Sequence, residues 1–382
     1  MKVPGKLVVI ASQFLSATGQ INIGGIETYI QQIVAELTDF DIIVIQPCKQ
    51  MFQKRIGRLL IIGVQVSNIN DLVRFTETNL LQDYDILIFS TEQYSARTKW
   101  PFTIVIQHGV YWDLPTSYYA KRCMAFPTLY KWFDNIRNLY RIKCFKDVVC
   151  VDYNYINWYR SLTGTYSEKN FWIIPNCASR QFFNNDLPVE NTSKHSVKIL
   201  FARRFVSIRG TLLFCKIAQK MISNFKNIEI TLAGAGPDLK PMQELLPPNK
   251  RITYIKIPYW GMKDCICCHD VIVIPSIGSE GTSLIALEAM AAGKCVVASN
   301  VGGLTNIIID GYNGFLCGTE ESFVDVLSEL VQSASLRADI GSNAHKVAVD
   351  AFHPDKWRES WRQVLQSVVF KRGTPSEDFV RW

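Results

Sequence analysis

The sequence lacks any apolar run long enough to cross a bilayer. Crossing takes about 20 consecutive apolar residues, and the runs present, such as Leu59–Val64, are far shorter. It also lacks a segment polar and biased enough to predict disorder, because hydrophobic residues make up 48% of the chain and charged residues 20%. We therefore expect a chain that folds throughout and does not span a membrane.

Regular cysteine spacing is missing as well. The 11 cysteines follow no framework pattern, and the N-terminus runs straight into a strand-like segment at Lys6. Both features predict a reducing compartment, the cytosol. The net charge of +7 suits an anionic ligand or surface and falls well short of a nucleic-acid signature. We expect no nucleic-acid partner.

Strand-like and helix-like patterns alternate along the chain, and the alternation restarts once. The strand-like runs are KLVVIAS, DIIVIQP, DILIFST, FTIVIQH and DVVCVD in the first series, and VKILFA, IEITLAG, DVIVIPS and KCVVASN in the second. Such near-continuous Val, Ile and Leu runs are typical of strands covered on both faces, which indicates parallel sheets. The sequence predicts two Rossmann-like, doubly wound α/β domains that face a shared cleft, where the ligand binds.

The predicted boundary between the two domains lies in a polar, Asn-rich stretch that has the composition of a linker. Residues 1–176 form the predicted N-terminal domain, 177–196 the linker and 197–355 the C-terminal domain. The remainder, 356–382, is predicted as a helical tail.

Two glutamates lie eight residues apart in SEGTSLIALEAMAAGKCVVASNVGG, at the edges of an apolar helical run. On a helix Glu280 and Glu288 are separated by about 12 Å of rise and about 80° of rotation. The two carboxyl groups of a glycoside hydrolase lie roughly 5 to 9.5 Å apart, so a hydrolase is disfavoured. The spacing suits one extended ligand, with Glu288 on a ribose diol and Glu280 on sugar hydroxyls. Taken alone, each glutamate is better explained as a helix-terminal or solvated charge.

The residues between these glutamates open the helix. Gly281, Thr282 and Ser283 are small and precede it, and Leu284 follows them. Because the free N–H groups and the dipole of a helix N-terminus favour phosphate, we interpret this segment as a binding site for the diphosphate of a ligand.

The whole stretch resembles the E-x7-E region of retaining glycosyltransferases of family 4, the group 1 type with a GT-B fold. Further segments match that family in order, although the likeness is weaker between Cys48 and Tyr84 and in 111–170. They are GGIE at 24–27, QHG at 107–109, IPN at 174–176, ARRFVSIRG at 202–210, LAGAGP at 232–237 and DGYNGFL at 310–316.

The resemblance implies roles for the matched residues. Gly24 and Gly25 lie in the glycine-rich loop that approaches the donor. The implied catalytic set is His108 beside the donor sugar, Arg204 and Arg209 on the diphosphate, and Glu280 on the sugar.

The sequence departs from the family at three of these positions. Arg209 stands where lysine is usual, which keeps the charge and adds a fork of donors. Arg203 replaces the usual glycine, and Asn306 a frequent acidic residue.

The implied reaction moves a sugar from a nucleotide sugar to a hydroxyl of a glycan or lipid-linked acceptor with retained anomeric configuration, in polysaccharide biosynthesis. Our expectation for the donor is UDP-glucose or another UDP-hexose. Since arginines and a helix N-terminus would neutralise the diphosphate, we expect no metal or other cofactor. The tail 356–382 would pack back toward the N-terminal domain. Two alternatives stay open: a nucleotide-sugar epimerase or phosphorylase of the same fold, and a non-catalytic nucleotide-sugar-binding subunit.

A basic amphipathic stretch lies in 118–146. It contains seven Lys and Arg residues and a single acidic one, Asp134. Leu129, Phe133, Ile136 and Tyr140 recur at helical spacing. One interpretation is a helix that packs this stripe on the core and solvates its basic face. The other is peripheral contact with anionic lipid at the inner face of a membrane.

Overall fold

The structure is a computed structural model that describes residues 5–22, 24–109, 113–120, 125–163, 169–183, 196–258, 261–278 and 280–373. By internal contacts the chain forms two compact units. The first unit comprises Met1–His108, Trp132–Pro175 and Asp355–Trp382, and the second comprises Gly109–Lys131 and Asn176–Pro354.

Parts of the predicted segments lie outside the described residues. They are 184–195 of the linker, Lys121 and Arg122 of the basic stretch, Ser279 before Glu280, and 374–382 of the tail.

Within the described residues, the first unit is built on an eight-stranded sheet. Its strands are β1 (Leu7–Ile10), β2 (Ile42–Pro47), β3 (Phe52–Ile56), β4 (Leu59–Val64), β5 (Ile86–Phe89), β6 (Thr103–Gln107), β7 (Asp147–Cys150) and β8 (Asn170–Ile173). Their order is β3-β4-β2-β1-β5-β6-β7-β8, and every neighbouring pair is parallel except β3 with β4. Central Val9 pairs with Val44 and Ile88. All four β1 residues are buried, as a strand covered on both faces requires.

The second unit contains a six-stranded sheet in the part of the chain that the structure describes. Its strands are β9 (Val197–Ala202), β10 (Ile228–Ala233), β11 (Ile252–Ile255), β12 (Val271–Ile274), β13 (Cys295–Ser299) and β14 (Phe315–Cys317). They lie in the order β11-β10-β9-β12-β13-β14 and all run parallel. Two parallel-sheet α/β units confirm the predicted fold class.

Helices connect the strands, and none of those described is long and apolar enough to cross a membrane. They are α1 (Gly25–Glu36), α2 (Ile69–Asn79), α3 (Thr116–Ala120), α4 (Pro127–Arg141), α5 (Asn154–Thr163), α6 (Thr211–Asn224), α7 (Leu239–Leu245), α8 (Met262–Cys267), α9 (Leu284–Ala291), α10 (Glu320–Gln332), α11 (Ala334–Ala351) and α12 (Pro354–Gly373).

Helix α9 lies inside the second unit. Every residue from Ile285 to Ala291 is buried, and the small side chains of Ala286 and Ala289 let it pack tightly with its neighbours in one apolar cluster. A helix that is apolar on all sides is a core helix. Glu288 is the carboxylate that this core helix carries, so its burial follows from the fold.

Helix α12 packs on α1 in the first unit. The Trp361 side chain is fully buried, and its Nε1 donates a hydrogen bond to the Tyr29 hydroxyl at 3.1 Å. The Trp357 ring meets the Tyr29 ring edge-on, with centroids 5.5 Å apart. Arg358 lies 3.5 Å from the carboxylate of Glu36. These contacts explain why residues 355–373 belong to the first unit.

Candidate active site

Three loops of the second unit meet at the carboxyl edge of its sheet. Arg203 follows β9, Ser276 follows β12 and Gly302 follows β13. These strands are neighbours in the order β9-β12-β13 and run parallel. Parallel strands end at the same edge, which is where open α/β sheets bind ligands.

Glu280 is the centre of a buried ionic cluster at this edge. Its side chain is 6% exposed, and its Oε1 accepts hydrogen bonds from the guanidinium groups of Arg203 and Arg209. The hydroxyl of Ser276 donates to the same oxygen at 2.5 Å. None of the described residues donates to the other oxygen, Oε2. One carboxylate oxygen is therefore held by the protein, and the other is left for a ligand hydroxyl.

The charge of Glu280 is maintained by these neighbours. Burial raises the pKa of its carboxyl group, but the positive charges of Arg203 and Arg209 outweigh burial and hold the pKa below its ordinary value. The carboxylate is charged at neutral pH and is an acceptor only.

Two consecutive glycines shape the backbone around Glu280. A Cβ on Gly302, whose φ is +53°, would lie 2.3 Å from the Glu280 carbonyl oxygen. A Cβ on Gly303 would lie 2.5 Å from the Gly281 carbonyl carbon. The Gly303 N–H donates to the Glu280 carbonyl at 2.8 Å. Only glycine fits at both positions, which explains the NVGG sequence after β13.

The N-terminus of α9 opens beside this cluster. Ser283 is its N-cap residue and makes no side-chain capping bond. Its hydroxyl instead accepts a hydrogen bond from Arg203 at 3.1 Å, and the Thr282 carbonyl accepts one from the Asn176 side chain. The backbone N–H groups of the first turn and two guanidinium groups therefore lie at the same end of the helix, an arrangement that favours an anion.

Glu288 differs from Glu280 although both are buried. Its side chain receives no hydrogen bond from the described residues, and burial raises its pKa to about 8. A carboxyl group that is buried without donors suits a ligand that brings its own hydroxyl donors.

Arg204 and Arg209, the two arginines predicted to bind the diphosphate, differ in their contacts and in their exposure. Arg209 is held at Glu280 by the turn Ser207–Arg209, and Gly210 after it packs so closely that a Cβ would lie 1.6 Å from the Pro275 carbonyl oxygen. Arg204 is exposed. Its neighbour Arg203 is the residue whose guanidinium reaches Glu280, a contact that the sequence interpretation missed. The signal for it was the first arginine in ARRF, where the resembling family usually has glycine.

Sequence-predicted residues of the first unit lie near one another at the carboxyl edge of its own sheet. His108 follows β6, its Nε2 is 2.8 Å from the Ser90 carbonyl oxygen, and its ring meets the Tyr29 ring edge-on at 5.1 Å. Tyr29 lies on α1, which Gly24 caps and Gly25 begins. Burial lowers the pKa of His108 to about 4, so its imidazole is neutral at physiological pH.

No cluster of three or more His, Cys, Asp or Glu side chains in the described ranges is arranged to ligate a metal ion. The groups gathered around α9 are instead two guanidinium groups and two carboxyl groups, which suit a ligand with phosphates and hydroxyls.

Residues 196–333 match the family described as glycosyl transferases group 1. This range holds Arg203, Arg209, Glu280, the start of α9 and Glu288. Over this range the second unit is similar to a group 1 glycosyltransferase domain.

Relatives of this domain are distant in sequence. The lipopolysaccharide 1,2-N-acetylglucosaminetransferase of Salmonella typhimurium is 25% identical over 190 residues, which cover 46% of this chain and 48% of that protein. The chain spans about half the length of the curated relatives it matches.

Solved structures resemble nearly the whole chain. The sucrose-phosphate synthase of Thermosynechococcus elongatus matches with a TM-score of 0.73 and 14% identity, covering 95% of this chain and 99% of that one. The Anabaena Alr3699/HepE protein, solved in complex with UDP-glucose, matches with a TM-score of 0.68 and 14% identity over 95% and 99%. At these identities the likeness shows the fold, which is GT-B as predicted.

Proposed function

We propose that the protein is a retaining glycosyltransferase that moves a hexose from a nucleoside diphosphate sugar to a hydroxyl acceptor. The observation that carries the proposal is the cluster around α9, where Glu280 keeps one oxygen unoccupied by described donors and Glu288 is buried eight residues further on. The Arg209 guanidinium and the N-terminus of α9 lie beside Glu280, where they would stabilise the diphosphate of a nucleotide sugar.

Each part of the donor has a matching group in this proposal. Glu288 accepts hydrogen bonds from the ribose hydroxyls, and Oε2 of Glu280 accepts one from the transferred sugar. Arg204, Arg209 and the α9 N-terminus, from Gly281 to Leu284, stabilise the charge that develops on the leaving diphosphate. These fixed cations supply the charge stabilisation that a divalent ion gives other enzymes, so we propose that neither a metal nor another cofactor is required.

Proteins similar to this chain support one class of donor and one class of acceptor. A structure with the same fold holds UDP-glucose, which supports a UDP-hexose as donor. A relative of the group 1 domain is named as acting on lipopolysaccharide, which supports a glycan or lipid-linked acceptor and a place in polysaccharide assembly.

Calorimetric titration with UDP, GDP and ADP, each with and without magnesium, tests the donor site. Micromolar binding of UDP that does not depend on magnesium is the expected result. Absence of binding by all three diphosphates would overturn the proposal.

Product analysis with UDP-glucose and UDP-N-acetylglucosamine distinguishes the remaining alternatives. A sugar joined to an acceptor with retained anomeric configuration supports a transferase. An epimerised nucleotide sugar, or release of sugar phosphate, indicates a same-fold epimerase or phosphorylase. Binding without turnover indicates a non-catalytic subunit.

Helix α4 supports peripheral membrane contact, because most of its apolar stripe faces solvent. Leu129, Trp132, Phe133 and Tyr140 are between 60% and 67% exposed, whereas the residues that α4 buries include polar Asp134. A surface helix normally turns its apolar stripe to the core. The core-packing interpretation therefore fails for these four residues, whereas Leu139 on the same helix is buried.

The charges beside the stripe fit anionic lipid. Asp134 is buried and paired with Arg137 at 2.5 Å, and Lys143 and Lys146 are exposed just beyond the end of the helix. Exposed aromatic rings next to basic residues are typical of helices that lie in a bilayer interface. We propose that α4 places the enzyme at the inner, cytoplasmic face of a membrane.

Liposome sedimentation tests this surface. Wild-type protein should bind vesicles that contain phosphatidylglycerol and not neutral phosphatidylcholine vesicles, and the double variant Trp132→Ser, Phe133→Ser should lose that binding. Ile309→Ser is the matched control, since Ile309 is a 61% exposed apolar residue outside α4. Equal binding to both vesicle types would remove the electrostatic argument.

A further inference from the structure

Arg203 stands where the resembling family usually has glycine, yet it is the most deeply buried cation of the Glu280 cluster. Its side chain is 9% exposed, against 22% for Arg209. A side chain of this length at a glycine position fills space that is otherwise open, so its contacts indicate what it does.

Arg203 makes two contacts that only a forked side chain can make together. Its Nη1 donates to the Ser283 hydroxyl at 3.1 Å, and its Nη2 donates to Oε1 of Glu280. These partners flank the short segment that leads into α9. One guanidinium group thus links the end of β9 to both sides of the α9 N-terminus.

Arg209, the second cation of the cluster, has two partners to bind. Arg209 binds the same oxygen of Glu280, and in the proposed function, on which this inference rests, it also binds the diphosphate of the donor. If Arg209 were the sole cationic partner, its movement to the donor would leave a buried carboxylate unpaired, which is strongly unfavourable.

We infer that Arg203 is a positioning residue that keeps Glu280 paired and oriented while Arg209 binds the donor diphosphate. It holds Oε1, so Oε2 stays directed to the sugar, and it compensates the carboxylate charge through the reaction. Arg203 acts through Glu280 and does not itself contact the donor.

The ionisation of the cluster agrees with this role. Burial lowers the pKa of Arg203 to about 10, which leaves it protonated at neutral pH. The charged groups that face Glu280 are Arg203 and Arg209, with Arg204 next in the chain. Loss of Arg203 leaves Glu280 with one cationic partner and raises the pKa of its carboxyl group.

Steady-state kinetics of Arg203→Gln and Arg203→Lys over a pH series test the inference. For Arg203→Gln we expect the donor KM to rise about tenfold and the acidic limb of kcat/KM to move to higher pH. Arg203→Lys keeps the charge without the fork and should restore the acidic limb while KM recovers in part. Arg55→Gln, which removes an exposed cation of the first unit, is the control for net charge.

A double-mutant cycle with UDP-glucose as the titrated ligand, in the absence of acceptor, separates a positioning role from a structural one. In the Glu280→Gln background, Arg203→Gln should no longer change the affinity for UDP-glucose, because the residue acts through the carboxylate that contacts the sugar. Additive effects, or an acidic limb that stays in place in Arg203→Gln, would overturn the inference. Failure of wild-type protein to bind UDP would instead overturn the proposed function, so the two outcomes are distinct. Arg203→Lys keeps the test available if Arg203→Gln does not fold.

Discussion

Glu280 and Glu288 lie eight residues apart, both are buried, and their pKa values move in opposite directions. Burial raises both, but Arg203 and Arg209 reverse the effect at Glu280, whereas no cation among the described residues does so at Glu288, where the pKa is about 8. The free protein therefore holds one charged carboxylate and, at neutral pH, one largely protonated carboxyl group. This difference suits an extended ligand. The charged carboxylate of Glu280 can bind it at one end, and the carboxyl oxygens of Glu288 can accept hydrogen bonds from its hydroxyl groups at the other.

Glu288 should make the ligand-free protein less stable as pH rises. Its folded-state pKa of about 8 lies above the ordinary value of 4.5, so the folded state binds more protons between these values and the free energy of unfolding falls through that window. Glu288→Gln should remove this dependence, gaining more than about 1 kcal/mol relative to wild type between pH 5.5 and pH 8.5. Urea unfolding at the two pH values measures it. If the free energy of unfolding changed with pH in the same way in both proteins, the raised pKa that we assign to buried Glu288 would be contradicted.

Glu288→Ala should weaken UDP binding about tenfold through the lost ribose contact. The control is a change in the ligand instead of a second variant. Wild-type protein should bind 2′-deoxy-UDP more weakly than UDP, and the variant should bind the two equally. Calorimetry measures all four affinities. If the variant still prefers UDP, the ribose lies elsewhere.

Arg209→Ala should impair the chemical step more than donor binding, because the developing charge on the diphosphate is greatest in the transition state. We expect kcat to fall about 100-fold and the donor KM to change less than about threefold. Arg209→Lys should recover much of kcat, since it restores the charge. A variant that raises KM alone would show that Arg209 binds the ground state.

Gly302→Ala should disrupt the site through the backbone. Its Cβ would lie 2.3 Å from the Glu280 carbonyl oxygen at a φ of +53°. Gly311→Ala is the matched control, because Gly311 has a φ of +72° and nothing within 4 Å of a Cβ. Both variants carry the cost of a positive φ, and Gly302→Ala should lose at least about 1 kcal/mol more in the free energy of unfolding. Equal losses would exclude the clash.

The edge strand β3 is a part of the fold that the sequence pattern did not predict. The apolar runs predicted the buried parallel strands, because strands covered on both faces need apolar residues at successive positions. They did not predict β3, whose Gln53, Lys54 and Arg55 are exposed. A charged edge strand forms by pairing with β4 and protects the sheet edge from other chains. That pairing is a tertiary property without an apolar signature.

The site was predictable in outline and not in its contacts. Spacing and residue type predicted the two glutamates and the small residues at the start of α9. Neither could show which of the adjacent Arg203 and Arg204 turns toward Glu280, because successive residues of an extended segment point to opposite sides and packing decides which side is inside.

For the amphipathic helix α4, the sequence likewise predicted the element but not its contacts. Its period of apolar residues was clear from the sequence, and the helix is where the pattern indicated. Periodicity cannot say whether a stripe faces the core or the solvent, since the same spacing serves both. Only the structure shows that Trp132 and Phe133 face outward.

The sequence by itself determined the two-unit α/β fold, the eight-residue spacing of the glutamates and the places of the helix-opening glycines, because these depend on local periodicity and on backbone geometry. The tertiary structure decided which arginine pairs with Glu280, which carboxyl group holds its charge and which face of α4 is exposed. These properties depend on burial and on charges brought together from distant parts of the chain, and neither can be obtained from neighbours in sequence.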